Sequence, residues 1–192
     1  MSPILESIGS VKGFGWGAFS LPSSFESIAS ATGTGSSGTI TFSSIPATYK
    51  HLQIRYNARS SFAFVDDFVQ FQFNNDTGNY YAWHIIDGDG SSATAAGAAN
   101  NNYAYSGQTT ASTASANMMG AGIFDIIDYA STTKTKTVRS FGGNDRNGAG
   151  SIRLTSDLWT STSAINRIDI TSFRGGNWTS DTTFALYGIK GA

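Results

Sequence analysis

Polar and apolar residues alternate one for one through several short windows of this chain. In "HLQIRYNARS", Leu52, Ile54, Tyr56 and Ala58 fall on one face and Gln53, Arg55, Asn57 and Arg59 on the other. In "FVQFQFN", Val69, Phe71 and Phe73 alternate with Gln70, Gln72 and Asn74. A period of two is the mark of a strand with one buried face. "SFESIASATGTGSSGTITFSSI" predicts strand, glycine-serine turn, strand, with Phe25 and Ile28, then Ile40 and Phe42, as the buried sets. Further strand windows are Tyr80–Ile86, Gly122–Ile127, Lys136–Phe141, Ser151–Thr155, Asn166–Thr171 and Thr183–Ile189, each bounded by Gly, Asn, Asp or Ser. In "FQFNNDTGNYYAWHI" the turn residues "NNDTGN" stand between two such windows, which predicts a hairpin. Roughly ten short strands predict an all-β fold: a two-sheet antiparallel β-sandwich, jelly-roll-like.

Two stretches break the pattern. "MSPILESIGSVKGFGWGAFSLP" carries Ile4, Leu5, Phe14, Trp16 and Phe19 among glycines at 9, 13, 15 and 17. Glycine at every second position suits close backbone approach but not an amphipathic helix. Residues 1–24 therefore read as an extended N-terminal docking arm, and 25–192 as the sandwich domain. The second stretch, about 88–119, is low in complexity and nearly uncharged. Long structureless loops are uncommon inside compact domains. It reads as a surface excursion carrying a Tyr103/Tyr105 strand, or, preferably, as a segment ordered by a neighbouring subunit.

Composition sharpens this picture. The 192 residues are 40% hydrophobic, 13% aromatic and only 13% charged, about half the usual charged share of roughly 25%. The surface must then be solvated by Ser, Thr, Asn and Gly, which favours strands and turns over helices. Twelve Lys and Arg against thirteen Asp and Glu leave a net charge of −1, without the basic footprint that nucleic acid or an anionic membrane demands. No cysteine is present, so disulfides and thiolate metal sites are excluded. Neither a signal peptide nor an apolar run long enough to span a bilayer is evident, and the expected place of synthesis is a cytoplasm.

Candidate chemistry is sparse. "GTGSSG", Gly33–Gly38, matches a dinucleotide fingerprint as a string, but a strand, "TITF", follows where a helix is required, so it reads as a hairpin turn. "DGDG", Asp87–Gly90, does not continue as a calcium-binding hand; a non-standard cation site from Asp87, Asp89 and Asp66/Asp67 is the remaining alternative to a solvated turn. His51 and His84 each fall in a predicted strand. Asp125 and Asp128, three apart, face opposite ways in a strand and make a poor glycosidase pair. No catalytic, cofactor or metal residue is assigned, and the chain reads as non-enzymatic. Tyr80, Tyr81, Trp83, Tyr103, Tyr105 and Trp178 suit core packing, subunit contact or stacking on sugar rings. Asp76, Tyr80, Tyr81 and Trp178 are the candidate recognition loop tips.

Several ordered blocks look familiar: "FESIA" at 25–29, "TFSSIPATYKHLQIRYNARSS" at 41–61, "FQFNNDTGNYYAWH", "DIIDYASTTKTKTVRS" at 125–140 and "FALYGIKG" at 184–191. Together they resemble small β-sandwich virion proteins of tailed bacteriophages of the cyanophage and aquatic-phage type, over about residues 25–191. The resemblance implies a structural protein of the virion, assembled in the host cytoplasm, with no catalytic residues to carry over. It implies partners among other virion proteins of capsid or tail and, by analogy with the threefold positions of heads and fibres, a homotrimer. A capsid decoration or cement protein is the first expectation. A tail-fibre module meeting host-surface polysaccharide is the second, and a sandwich-type lectin or glycan-active enzyme the rival from another class.

Overall fold

The computed structural model describes residues 24–191; the arm residues Ile4, Leu5, Phe14, Trp16 and Phe19 lie outside the described residues. The described residues form twelve strands: β1 (Phe25–Thr32), β2 (Thr39–Phe42), β3 (His51–Ala58), β4 (Asp66–Phe73), β5 (Tyr81–Gly88), β6 (Ala93–Asn101), β7 (Ala104–Thr110), β8 (Gly120–Ile126), β9 (Lys136–Asp145), β10 (Gly150–Trp159), β11 (Ile168–Ser172) and β12 (Thr183–Ile189). Two antiparallel sheets result, one ordered β1-β12-β3-β8-β9-β10-β5-β6, the other β2-β11-β4-β7. Without β5–β6 and β9–β10, the remaining strands have the two four-stranded sheets of a jelly roll. The two inserted pairs join edge to edge and widen one sheet to eight strands.

Alternation decides most of the packing. β3 buries Leu52, Ile54, Tyr56 and Ala58, β4 buries Val69, Phe71 and Phe73, and β12 buries Phe184 and Leu186. Phe71 and Phe124 meet across the sheets with centroids 5.7 Å apart, and Tyr56 stacks between Phe124 and Phe184 at 5.2 and 5.6 Å. Glycine is required beneath that ring: a Cβ on Gly142 would come within 2.5 Å of the Tyr56 hydroxyl.

Two predicted hairpins are inter-sheet crossings instead. β1 pairs with β12 and β2 with β11, so the Gly33–Gly38 turn carries the chain from one sheet to the other. Its glycines permit close approach to residues 176–179; a Cβ on Gly38 would sit 2.7 Å from the Gly176 carbonyl. Likewise β4 pairs with β11 and β7, whereas β5 pairs with β10 and β6. Asn74 and Asn75, both left-handed at φ 53° and 57°, turn the chain as their residue type suggests. Burial of Tyr81 against Trp159, 6.3 Å between rings, then draws the returning strand into the opposite sheet.

The 88–119 segment is also corrected. It is ordered within the chain, β6 closing the edge of the large sheet and β7 pairing with β4. β7 is buried on both faces because β9 and β10 overhang it. Its Ser106, Gln108, Thr109 and Thr110 meet polar partners there: Ser106 Oγ donates to Asp157, Thr110 Oγ1 to the Met118 carbonyl at 2.6 Å, and Gln108 N–H to the Tyr56 hydroxyl at 3.1 Å. No helix of the described residues is long and apolar enough to cross a membrane.

Candidate interaction site

The four residues named as recognition tips do not act together. Tyr81 and Trp178 are fully buried. Tyr81 accepts the Phe73 amide at 2.9 Å and donates to the Asp76 carbonyl at 3.2 Å; burial pushes its phenol far above the usual range. Trp178 packs edge-on against Phe184 at 5.3 Å. Both are large rings adjoining turns, and the sandwich ends are closed by drawing such rings inward. Asp76 is a fastener: Oδ2 accepts the Trp159 indole N–H at 2.7 Å and Oδ1 the Gly78 amide at 3.0 Å. Tyr80 alone of the four presents its ring to solvent, 55% exposed.

The carboxylates are dispersed among separate partners. Asp87 is held by Arg153, whose Nε donates at 2.9 Å, and Asp66 pairs with Arg174 at 3.5 Å. Asp67 Oδ1 accepts the Phe68 and Arg174 amides at 2.7 and 3.1 Å. Asp89 accepts the amides of Ser91 and Ser92 at 2.9 and 2.7 Å, as a solvated turn requires. Among the described residues, no group of three or more His, Cys, Asp or Glu is arranged to hold a metal ion. Asp125 accepts Gln53 Nε2 at 2.8 Å. Asp128, past the end of β8, lies 2.7 Å from Lys134 Nζ and 3.0 Å from Lys50 Nζ. Hydrogen bonds from those two lysines hold its carboxyl down to about 2. His51 Nδ1 accepts the Asp128 amide at 3.0 Å, and His84 is exposed on the outer face.

Lys136 is wholly buried, yet its ammonium donates to the carbonyls of Ser131, Lys134 and Thr162 at 2.8, 2.7 and 3.1 Å. All three donors are used, which makes it a tie between two loops. Desolvation lowers its pKa.

The feature that alternation alone does not foretell is the outer face of the eight-stranded sheet. Strand registers align Arg55, Ile123, Phe141, Leu154, Ile86 and Ala95 in one row across β3, β8, β9, β10, β5 and β6. Phe141, Leu154 and Ile86 are 54, 52 and 59% exposed, and Ile152, 52% exposed, stands beside them. β10 explains why. Ile152 and Leu154 share one face while Arg153, Thr155, Asp157 and Trp159 share the other, and it is the polar face that turns inward. Trp159 belongs in the core against Phe73, 5.4 Å away, and it fixes the phase of the whole strand. Asp157 is then buried opposite β7, where the Tyr105 amide donates to it at 2.9 Å and Thr155 Oγ1 at 3.2 Å. Desolvation outweighs those bonds and raises its carboxyl to about 6.

Beside the row lies a shallow hollow of about 940 Å³, floored by Ala121 and Gly143, walled by Ile123, Phe141 and Ile152, and rimmed by the β9–β10 turn. Toward β1 the apolar track continues through Arg55, whose guanidinium lies 5.1 Å from the Phe25 ring and 5.5 Å from Tyr187. A flat apolar surface with small-residue gaps can take up another polypeptide. The sequence signal for it was present: Val138 and Phe141, three apart in one strand, cannot share a face. Comparison of the chain with protein-family models, curated proteins and solved structures returns no match.

Proposed function

We propose that this chain is a non-enzymatic structural protein of a tailed-bacteriophage particle, displayed on the particle surface as a trimeric decoration or cement protein that stabilises the shell. The observation that carries an assembly role is the exposed apolar row Ile123–Phe141–Leu154–Ile86 on a sheet closed at one side by β6. β6, "ATAAGAANN", is an edge strand with no charge and no proline, and so lacks the usual protection against pairing with another chain. Such a surface on a protein of net charge −1 suits a component that is permanently covered in an assembly. The phage assignment rests on the ordered sequence blocks from Phe25 to Gly191.

The tail-fibre alternative draws less support, because two of its four proposed recognition residues, Tyr81 and Trp178, are in the core. Immunogold labelling of purified virions with an antibody to residues 25–191 tests the reading. Gold over the heads is the expected result; gold confined to tails would transfer the protein to a fibre, and unlabelled particles would refute a virion role. Light scattering of the purified protein checks the trimer, which requires a mass near three times the 20.3 kDa chain.

A further inference from the structure

We propose that the cleft between the β5–β6 pair and the small sheet binds a single neutral sugar ring, its hydroxyls held by Asp66, Asp87, Gln108 and Arg146. The proposal goes beyond the assembly role: the cleft lies on the opposite side of β5 from the exposed Ile86 row and needs no second copy.

The cleft follows from the unequal widths of the sheets. The large sheet continues through β5 and β6, whereas the small sheet ends at β7. Side chains alternate along β5, so with Ile86 turned outward Asp87 turns toward the small sheet, where Arg153 Nε meets it at 2.9 Å. Thr94 is the register partner of Asp87 and stands beside it on β6. Opposite them β4 contributes Asp66 and Phe68, β7 contributes Gln108, and the β9–β10 turn brings Arg146 to the wall. The space enclosed is about 270 Å³. Pockets for drug-sized ligands run from about 300 to 1,000 Å³, so this one suits a single ring.

Gln108 is the observation that points to a ligand. It is 2% exposed, and its Oε1 accepts from Ser151 Oγ. Its Nε2 makes no hydrogen bond among the described residues. That nitrogen is not sealed off by its neighbours, so it opens into the cleft that the side chain lines. A free amide nitrogen so deeply placed calls for an acceptor from outside the chain.

The surroundings supply the other half of the recognition. Asp66 turns Oδ1 to Arg174 at 3.5 Å and Asp87 turns Oδ2 to Arg153, so each keeps one oxygen free among the described residues. Arg146 uses Nη1 on Asn144 and keeps its other donors. Donors and acceptors thus converge on one small space. An anion would use only the donors and an ammonium only the acceptors, whereas a hydroxyl donates and accepts at once. Charge agrees with this choice. The carboxylates of Asp66, Asp87 and Asp89 are balanced by the guanidiniums of Arg146, Arg153 and Arg174, which favours a neutral ligand over an ionic one. Among the described residues these carboxylates are not arranged to hold a metal ion. Phe68 gives the cleft an apolar wall for the C–H face of a ring.

Nitrogen-15 NMR of the full-length protein tests the site, with the methyl glycosides of glucose, galactose, mannose, xylose and N-acetylglucosamine added one at a time. At least one is expected to shift the Gln108 side-chain amide and the backbone amides of Thr94 and Ser151 saturably, with a Kd below about 10 mM. Shifts confined to other residues, or none with any of these sugars, would overturn the proposal. Calcium chloride is titrated separately; if it moves those signals and no glycoside does, the cleft is a cation site and the proposal falls. Two variants locate the binding. Gln108→Glu removes the free donor, and Thr94→Phe, at an exposed position on the edge strand, fills the cleft without disturbing the core. Each should weaken the sugar by about tenfold or more; unchanged affinity in a folded Thr94→Phe protein would overturn the assignment. Failure here leaves the virion reading intact, because immunogold labelling detects the protein on particles whether or not it binds sugar.

Discussion

Asp157 offers the sharpest test of the packing described above. It lies on β10, 1% exposed, and accepts the Tyr105 amide together with the hydroxyls of Ser106 and Thr155. No basic side chain pairs with it among the hydrogen bonds and ion pairs of its surroundings, so burial prevails and its carboxyl rises from 3.8 to about 6. A carboxyl raised in the native state binds more protons folded than unfolded between those two values, so stability falls as pH climbs through that window. At 1.36 kcal/mol per pH unit the full loss is about 3 kcal/mol, roughly half of it between pH 5 and 8. Asp157→Asn keeps an oxygen for the Tyr105 amide and turns an NH₂ toward two hydroxyls that can accept. It should therefore be near neutral at pH 5 and gain on the parent protein by about 1 to 2 kcal/mol at pH 8. Urea unfolding of both proteins at half-unit pH steps gives the difference curve, from which the other titrating groups cancel. A difference independent of pH, or one that moves against the asparagine variant as pH rises, would refute the reasoning.

Gly142→Ala should destabilise by about 1 to 3 kcal/mol, because its Cβ meets the Tyr56 hydroxyl. Calorimetry of a double-mutant cycle with Tyr56→Phe should show the loss shrink once that oxygen is gone. Trp159→Phe keeps a ring in the core but strands the Asp76 carboxylate that accepts its indole N–H at 2.7 Å; chemical denaturation should show a loss of about 1.5 to 3 kcal/mol. Lys136→Met leaves three loop carbonyls without their donor, and a loss of about 2 to 4 kcal/mol is expected in the same assay. Conversely Ile86→Ser, on the exposed row, should change the unfolding free energy by no more than about 0.5 kcal/mol.

By itself the sequence determined the class of fold and the phase of the strands that have one apolar and one polar side. β3, β4 and β12 bury the residues their alternation nominates, because a strand with a single greasy face has only one way to satisfy water. The turn chemistry of Asn74–Asn75 and of Gly33–Gly38 was legible too, as places where the chain reverses. Only the tertiary structure decided which strands those turns connect, since a reversal within a sheet and a crossing between sheets use the same residues. It also decided β10, where both faces carry apolar groups and the choice falls to Trp159, whose burial against Phe73 and Tyr81 outweighs leaving Ile152 and Leu154 exposed. β7 was legible only through Tyr105, and β6, made largely of Ala, Gly and Asn, which are depleted in strands, carries no such mark and is recruited by the edge of β5. The exposed row follows from that same recruitment. Ile123, Phe141, Leu154 and Ile86 stand far apart in the chain and form a surface only when registers across four strands bring them into line.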